Sequence, residues 1–171
     1  MTPEEARNGM REAAALWSVG YVSAAELVDA DCDLLVTGHD GLNLAMLAGV
    51  LHRHAAEEAP DLLEDALSDV NLPYHPKGSQ SGAEAAIEVL ANRVLTGRLT
   101  PTELTMWAHT TFGHGTLDLA ERLVKLDDQY GAVDHEAKTH FEDLDAKVLE
   151  EARRIVGSRP PTRQRTSRRE V

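Results

Sequence analysis

The 171-residue sequence is short of most of what builds a sheet, a disulfide framework or a membrane span. Isoleucine occurs twice and aromatic residues seven times, which offers little to a β-sheet. The single cysteine, Cys32, allows no internal disulfide and fits a reducing compartment. No apolar run approaches the ~20 residues of a transmembrane helix, and no positively charged, hydrophobic leader precedes Glu4 and Glu5. Gly-rich phosphate loops, nucleophile elbows and CxxC pairs are missing, so no cofactor is expected. Cations are also scarce, with 17 Lys and Arg against 29 Asp and Glu, and a net charge of −12 argues against a general phosphate-backbone binder. A cytoplasmic protein without a membrane partner is the expectation.

What is abundant is alanine (23) and leucine (22), strong helix formers both. The spacing predicts an all-α protein with helices at about 3–19, 23–36, 41–58, 61–71, 82–96, 100–112, 116–129 and 134–156. Ser or Thr followed three residues later by Glu, which satisfies two orphan amides reciprocally, marks four starts: Thr2/Glu5, Ser23/Glu26, Ser81/Glu84 and Thr100/Glu103. Pro3 and Pro101 follow two of these caps, where a missing N–H costs nothing. Gly20, Gly38, Gly97 and Gly113 read as left-handed stops. Asp61, directly after Pro60, reads as the cap of a helix burying Leu62, Leu63, Ala66, Leu67 and Val70.

Two stretches recur. Leu16 to Leu27 matches Arg93 to Leu104 at an offset of 77, and Gly38 to Ala45 matches Gly113 to Ala120 at an offset of 75. The expected architecture is one domain over 1–156, a pseudo-symmetric bundle of two duplicated halves of about 75 residues each (3–71 and 82–156) joined by a 72–81 linker. Oligomeric state stays open between monomer and homodimer. From Arg153 to the end, seven Arg oppose one acid, a net +6 that leaves −18 for residues 1–152. The stretch 157–171 is expected as a disordered basic tail, the one segment through which nucleic acid could be contacted.

Chemistry is sparse. His39 and His114 occupy equivalent repeat positions and, with Asp40 and Asp118 nearby, could form a metal-dependent site; the blander reading has each imidazole bonding local backbone at a helix corner. His52 and His54 project in opposed directions from one helix, and His135/His140 lack the zincin spacing. Asp31 and Asp33 flank Cys32 and oppose thiolate formation, which leaves an idle thiol. Trp17, Tyr21, Trp107 and Phe112 fit corner packing better than base stacking. No catalytic residue is assigned and no metal site is expected.

The acids are more telling. Residues 57–69 hold Glu57, Glu58, Asp61, Glu64, Asp65 and Asp69 with no Lys or Arg among them. Asp61, Asp65 and Asp69 make an i, i+4, i+8 stripe, in which like charges cost an isolated helix a few tenths of a kcal/mol per pair. This is either a solvated face or a docking surface for a basic partner, which Asp127 and Asp128 could extend.

The segments Gly97 to Ala108 and Leu123 to Tyr130, with the repeated turn-plus-cap unit, resemble small acidic helical proteins of actinobacteria, some similar to colicin-type immunity proteins. That resemblance implies a cytoplasmic, non-catalytic protein that binds a basic nuclease toxin and masks its substrate-binding surface. The alternative is a helical adaptor or regulatory protein whose basic tail contacts nucleic acid or an acidic partner.

Overall fold

The computed structural model describes residues 1–133 and 138–158; His135 and the basic stretch from Arg159 onward lie outside the described residues. Among the described residues the chain forms eight α-helices and one 3-10 turn, with no strand. No helix among them is long and apolar enough to cross a membrane. The helices are α1 (Pro3–Ser18), α2 (Ala24–Val36), α3 (Leu42–Ala48), α4 (Ala55–Asp69), α5 (Gln80–Leu95), α6 (Pro101–Phe112), α7 (Asp118–Ala132) and α8 (Lys138–Gly157), with the 3-10 turn at His52–His54. The chain divides into two compact units, Met1–Leu90 and Ala91–Val171, with the division inside α5.

The predicted capping boxes form at both proline-started helices. The Thr2 hydroxyl accepts from the Glu5 amide while the Glu5 carboxylate accepts from the Thr2 amide, and Thr100 and Glu103 do the same. The other two do not close. Ser23 makes no side-chain cap bond to α2, and Ser81 lies inside α5, whose Gly82 amide is taken by the Ser79 hydroxyl instead. All four stop glycines have positive φ, and the two copies of the first repeat block share two turn hydrogen bonds. Gly20 N–H donates to Trp17 O and Tyr21 N–H to Leu16 O; Gly97 and Arg98 donate to Val94 O and Arg93 O, the same pairs displaced by 77. The second block differs, since Gly38 donates three residues back and Gly113 four.

In unit 1, α1 packs on α2, and α2, α3 and α4 pack on one another. Met10, Leu27, Leu34, Leu44, Leu47, Leu63 and Leu67 fill its core. The predicted continuous helix at 41–58 is in fact α3, a break at Gly49–Leu51, the 3-10 turn and the start of α4. The two pieces bury Leu44, Leu47 and Val50 as well as Ala55 and Ala59. Asp61 therefore does not cap α4: the helix runs through Pro60, so the first turn carries Glu57 and Glu58. Acids there meet the positive end of the helix dipole, which offsets the lost Pro60 hydrogen bond. At the other end the Arg7 guanidinium donates to Val70 O and Asn71 O, satisfying carbonyls that the helix end leaves open.

In unit 2, α7 packs on both α6 and α8, and α6 also touches α8. Leu104, Ala108, Leu123, Val124, Val148 and Ile155 are buried. Glu151, buried on α8, is held by Arg154 and by Arg122 at 3.3 Å.

Candidate functional site

Two groupings of polar side chains stand out, one in each unit. In unit 1, α4 buries Ala59, Leu63, Ala66 and Leu67 and turns Glu57, Glu58, Asp61, Glu64 and Asp65 to solvent. None of the five makes an ion pair among the described residues. Asp69, expected on this stripe, is elsewhere. It is half-buried and accepts from the Asn43 amide (2.9 Å), the Leu44 amide (3.3 Å) and Asn43 Nδ2 (3.0 Å), serving α3 as the cap that Gly41 cannot supply. Those bonds hold its carboxyl below the usual range. Beside α4, α3 and the turn after it expose Leu42, Met46 and Leu51. Sequence reasoning missed this apolar group, although Leu42 and Met46 stand four apart on a helix that buries Leu44 and Leu47.

In unit 2, Asp127 and Asp128 face imidazoles. His109 Nδ1 is 2.9 Å from Asp127 Oδ2 and 3.7 Å from Asp128 Oδ1, and Asp127 Oδ1 accepts from the hydroxyl of fully buried Thr105. His114 Nε2 lies 3.0 Å from Asp128 Oδ2, and its Nδ1 lies 3.6 Å from Glu121 Oε1. The two rings meet edge-to-face at 5.3 Å. Glu121 also accepts from the Gly115 amide, which heads the causes that lower its pKa, and pairs with Lys125 at 3.4 Å. The α6–α7 hairpin builds this cluster by folding the end of α6 and the turn back along α7. His109 was not singled out from the sequence. Its signal was there: an imidazole four residues before the Gly113 stop, ahead of an adjacent helix carrying Asp127-Asp128.

The other candidates form no comparable cluster among the described residues. His39 belongs to unit 1 and His114 to unit 2. The buried His39 Nδ1 has no hydrogen-bond partner, and His114 faces carboxylates rather than backbone. Asp40 and Asp118 are exposed. His52 and His54 sit on the 3-10 turn rather than on an α-helix; His52 Nε2 pairs with Asp29 at 2.8 Å, and His54 accepts from Arg53 Nε. Burial first, then Asp31, pushes the Cys32 thiol up, in keeping with an idle thiol. Trp17 is buried with Lys77 Nζ 5.4 Å from its ring, and Trp107 packs edge-on against Phe112. A cleft of about 420 Å³ between α7 and α8 is lined by Arg122, Lys125, Lys147 and Arg154 together with Glu150 and Glu151; Arg122 and Arg154 share Glu151, and Lys125 pairs with Glu121.

One buried acid was not anticipated. Asp31 is fully buried on α2, neither carboxylate oxygen has a hydrogen-bond partner, and burial pushes its pKa to about 7. The Ala48 backbone pulls the other way, and the charge of Asp69 adds a lesser push in the same direction as burial. Its position between Leu27 and Leu34, four and three residues away, already placed it on the apolar face.

Comparison with protein-family models, curated proteins and solved structures yields no match.

Proposed function

We propose that the chain is a non-catalytic binding module that docks a basic protein through the acidic face of α4, in the manner of an immunity protein occluding a basic nuclease toxin. The supporting observation is the set of five exposed carboxylates, Glu57, Glu58, Asp61, Glu64 and Asp65, on one helix with no internal cation. A face that repels itself costs its own helix stability, and a cationic partner turns that cost into attraction and faster encounter. Exposed Leu42, Met46 and Leu51 in the same unit add the apolar contact that protein interfaces use and nucleic acid does not need. Asp127 and Asp128 contribute less to such a surface, because their oxygens are engaged by His109 and His114.

The test is whether a neighbouring gene encodes a basic nuclease domain and whether this chain inhibits it. The intact protein is expected to block DNA cleavage, and the triple reversal Asp61→Lys, Glu64→Lys, Asp65→Lys to lose that block with helix content unchanged. Deleting residues 159–171 is expected to leave it intact. Loss of activity on tail deletion alone would favour the adaptor reading, in which the five Arg of that stretch make the contact.

A further inference from the structure

His109, His114 and Asp128 each bring one ligand atom to within 4.8 Å of the others. We propose that they hold a divalent transition-metal ion of the Zn²⁺ class, which clamps the end of α6, the turn after it and the C-terminal third of α7. This goes beyond the docking function and stands independently of it, since it concerns unit 2 alone.

Three observations carry the assignment. The first is the donor set. Two imidazoles and a carboxylate suit Zn²⁺ and its neighbours, whereas Mg²⁺ and Ca²⁺ favour oxygen ligands throughout. Donors ~2.0–2.2 Å from one tetrahedral ion stand about 3.3–3.5 Å from each other. His114 Nε2 and Asp128 Oδ2, at 3.0 Å, are already that close, and the His109 ligand atom, within 4.8 Å of both, closes in by a side-chain movement. His109 is half-buried and His114 and Asp128 are exposed, so such a movement disturbs no core and leaves a coordination position open to solvent.

The second is support behind a ligand. Metal-binding imidazoles are characteristically held by a carboxylate outside the coordination sphere. With His109 Nε2 as the ligand atom, Asp127 takes that place, 2.9 Å from Nδ1, and is itself fixed by the hydroxyl of buried Thr105. The third is charge. Glu121, Asp127 and Asp128 surround the two imidazoles, and among the described residues only Lys125, at Glu121, answers them with a permanent positive charge. A divalent ion supplies what the site lacks.

The experiment uses the full chain, stripped by chelator and dialysed, titrated with ZnCl₂ by calorimetry and with CoCl₂ by visible absorption. One saturable equivalent of Zn²⁺ is expected, together with the intense d–d bands of low-coordinate Co²⁺. Asp127→Asn, a positioning change, is expected to weaken Zn²⁺ binding about 10- to 100-fold. His109→Ala and His114→Ala should each weaken it further than that, while the double variant His52→Ala, His54→Ala leaves it unchanged. Circular dichroism checks that each variant keeps its helices; should His109→Ala unfold, His114→Ala at the exposed turn decides. No saturable equivalent, or an equivalent that survives His114→Ala, overturns the proposal.

Discussion

Replacing Asp31 by Asn should flatten the pH dependence of stability in unit 1. The carboxyl is fully buried without a hydrogen-bond partner, and burial lifts its pKa to about 7. In the unfolded chain an Asp ionises near ~4. Between those values the native state holds a proton that the unfolded state has released, so unfolding is favoured progressively as pH rises, by about 1.4 kcal/mol per unit. The cost is absent below about pH 4, fully present above about pH 7, and reaches about 4 kcal/mol at its upper bound. Between pH 5 and pH 8 it amounts to about 2.5 kcal/mol. Asn has the same shape and no proton to lose, and its own unpaired amide costs the same at every pH. Urea unfolding followed by Trp17 fluorescence, with Trp107→Phe as background to silence unit 2, measures both proteins at pH 5, 6, 7 and 8. The variant should gain on its parent by about 2.5 kcal/mol over that range. Stability curves that run parallel within roughly 0.5 kcal/mol would refute the assignment of a neutral, buried Asp31.

Other consequences are simpler. Thr100→Ala removes the side-chain acceptor for Glu103 N–H and one of the two donors to its carboxylate, leaving the Thr100 amide, and should cost about 1 kcal/mol in denaturant unfolding. A Cβ on Gly41 would lie closer than 3 Å to three Asp69 side-chain atoms, so Gly41→Ala should destabilise α3 against α4. Because the clash and the cap share one carboxylate, a double-mutant cycle with Asp69→Ala should be non-additive by about 0.5 kcal/mol or more. Leu67→Ala, at a fully buried position, should cost about 2–5 kcal/mol. Leu42→Ala, at a position 76 % exposed, should change stability by less than about 0.5 kcal/mol and show its effect in partner affinity.

The helices with chemical start and stop signals were readable to within a residue or two. Thr2-Pro3 and Thr100-Pro101 open α1 and α6 where expected, and Gly20, Gly38, Gly97 and Gly113 follow the ends of α1, α2, α5 and α6 with the predicted backbone sign. The stretch 41–58 was not readable, because Leu44, Leu47, Leu51 and Ala55 keep a helical period straight across the break. Gly49, at the end of α3, adopts φ −76° and gives no left-handed signal. Pro60 misled in the opposite sense: proline usually opens a helix, but here tertiary packing of Ala55 and Ala59 draws the start back to residue 55. The acidic run was visible as composition, yet which acids face water depends on tertiary partners. Asp69 is taken by Asn43 and Leu44, and Asp127 by His109 and Thr105, contacts that bridge 18 to 26 residues and that local spacing does not encode.

The central claim is that the free carboxylates of α4 carry binding. Titration of a candidate basic nuclease domain with the intact chain and with the Asp61→Lys, Glu64→Lys, Asp65→Lys variant, at low and at physiological salt, tests it most directly. The account predicts tight binding that weakens as salt rises and is lost in the variant. Equal affinity for the two proteins, or binding indifferent to salt, would contradict it.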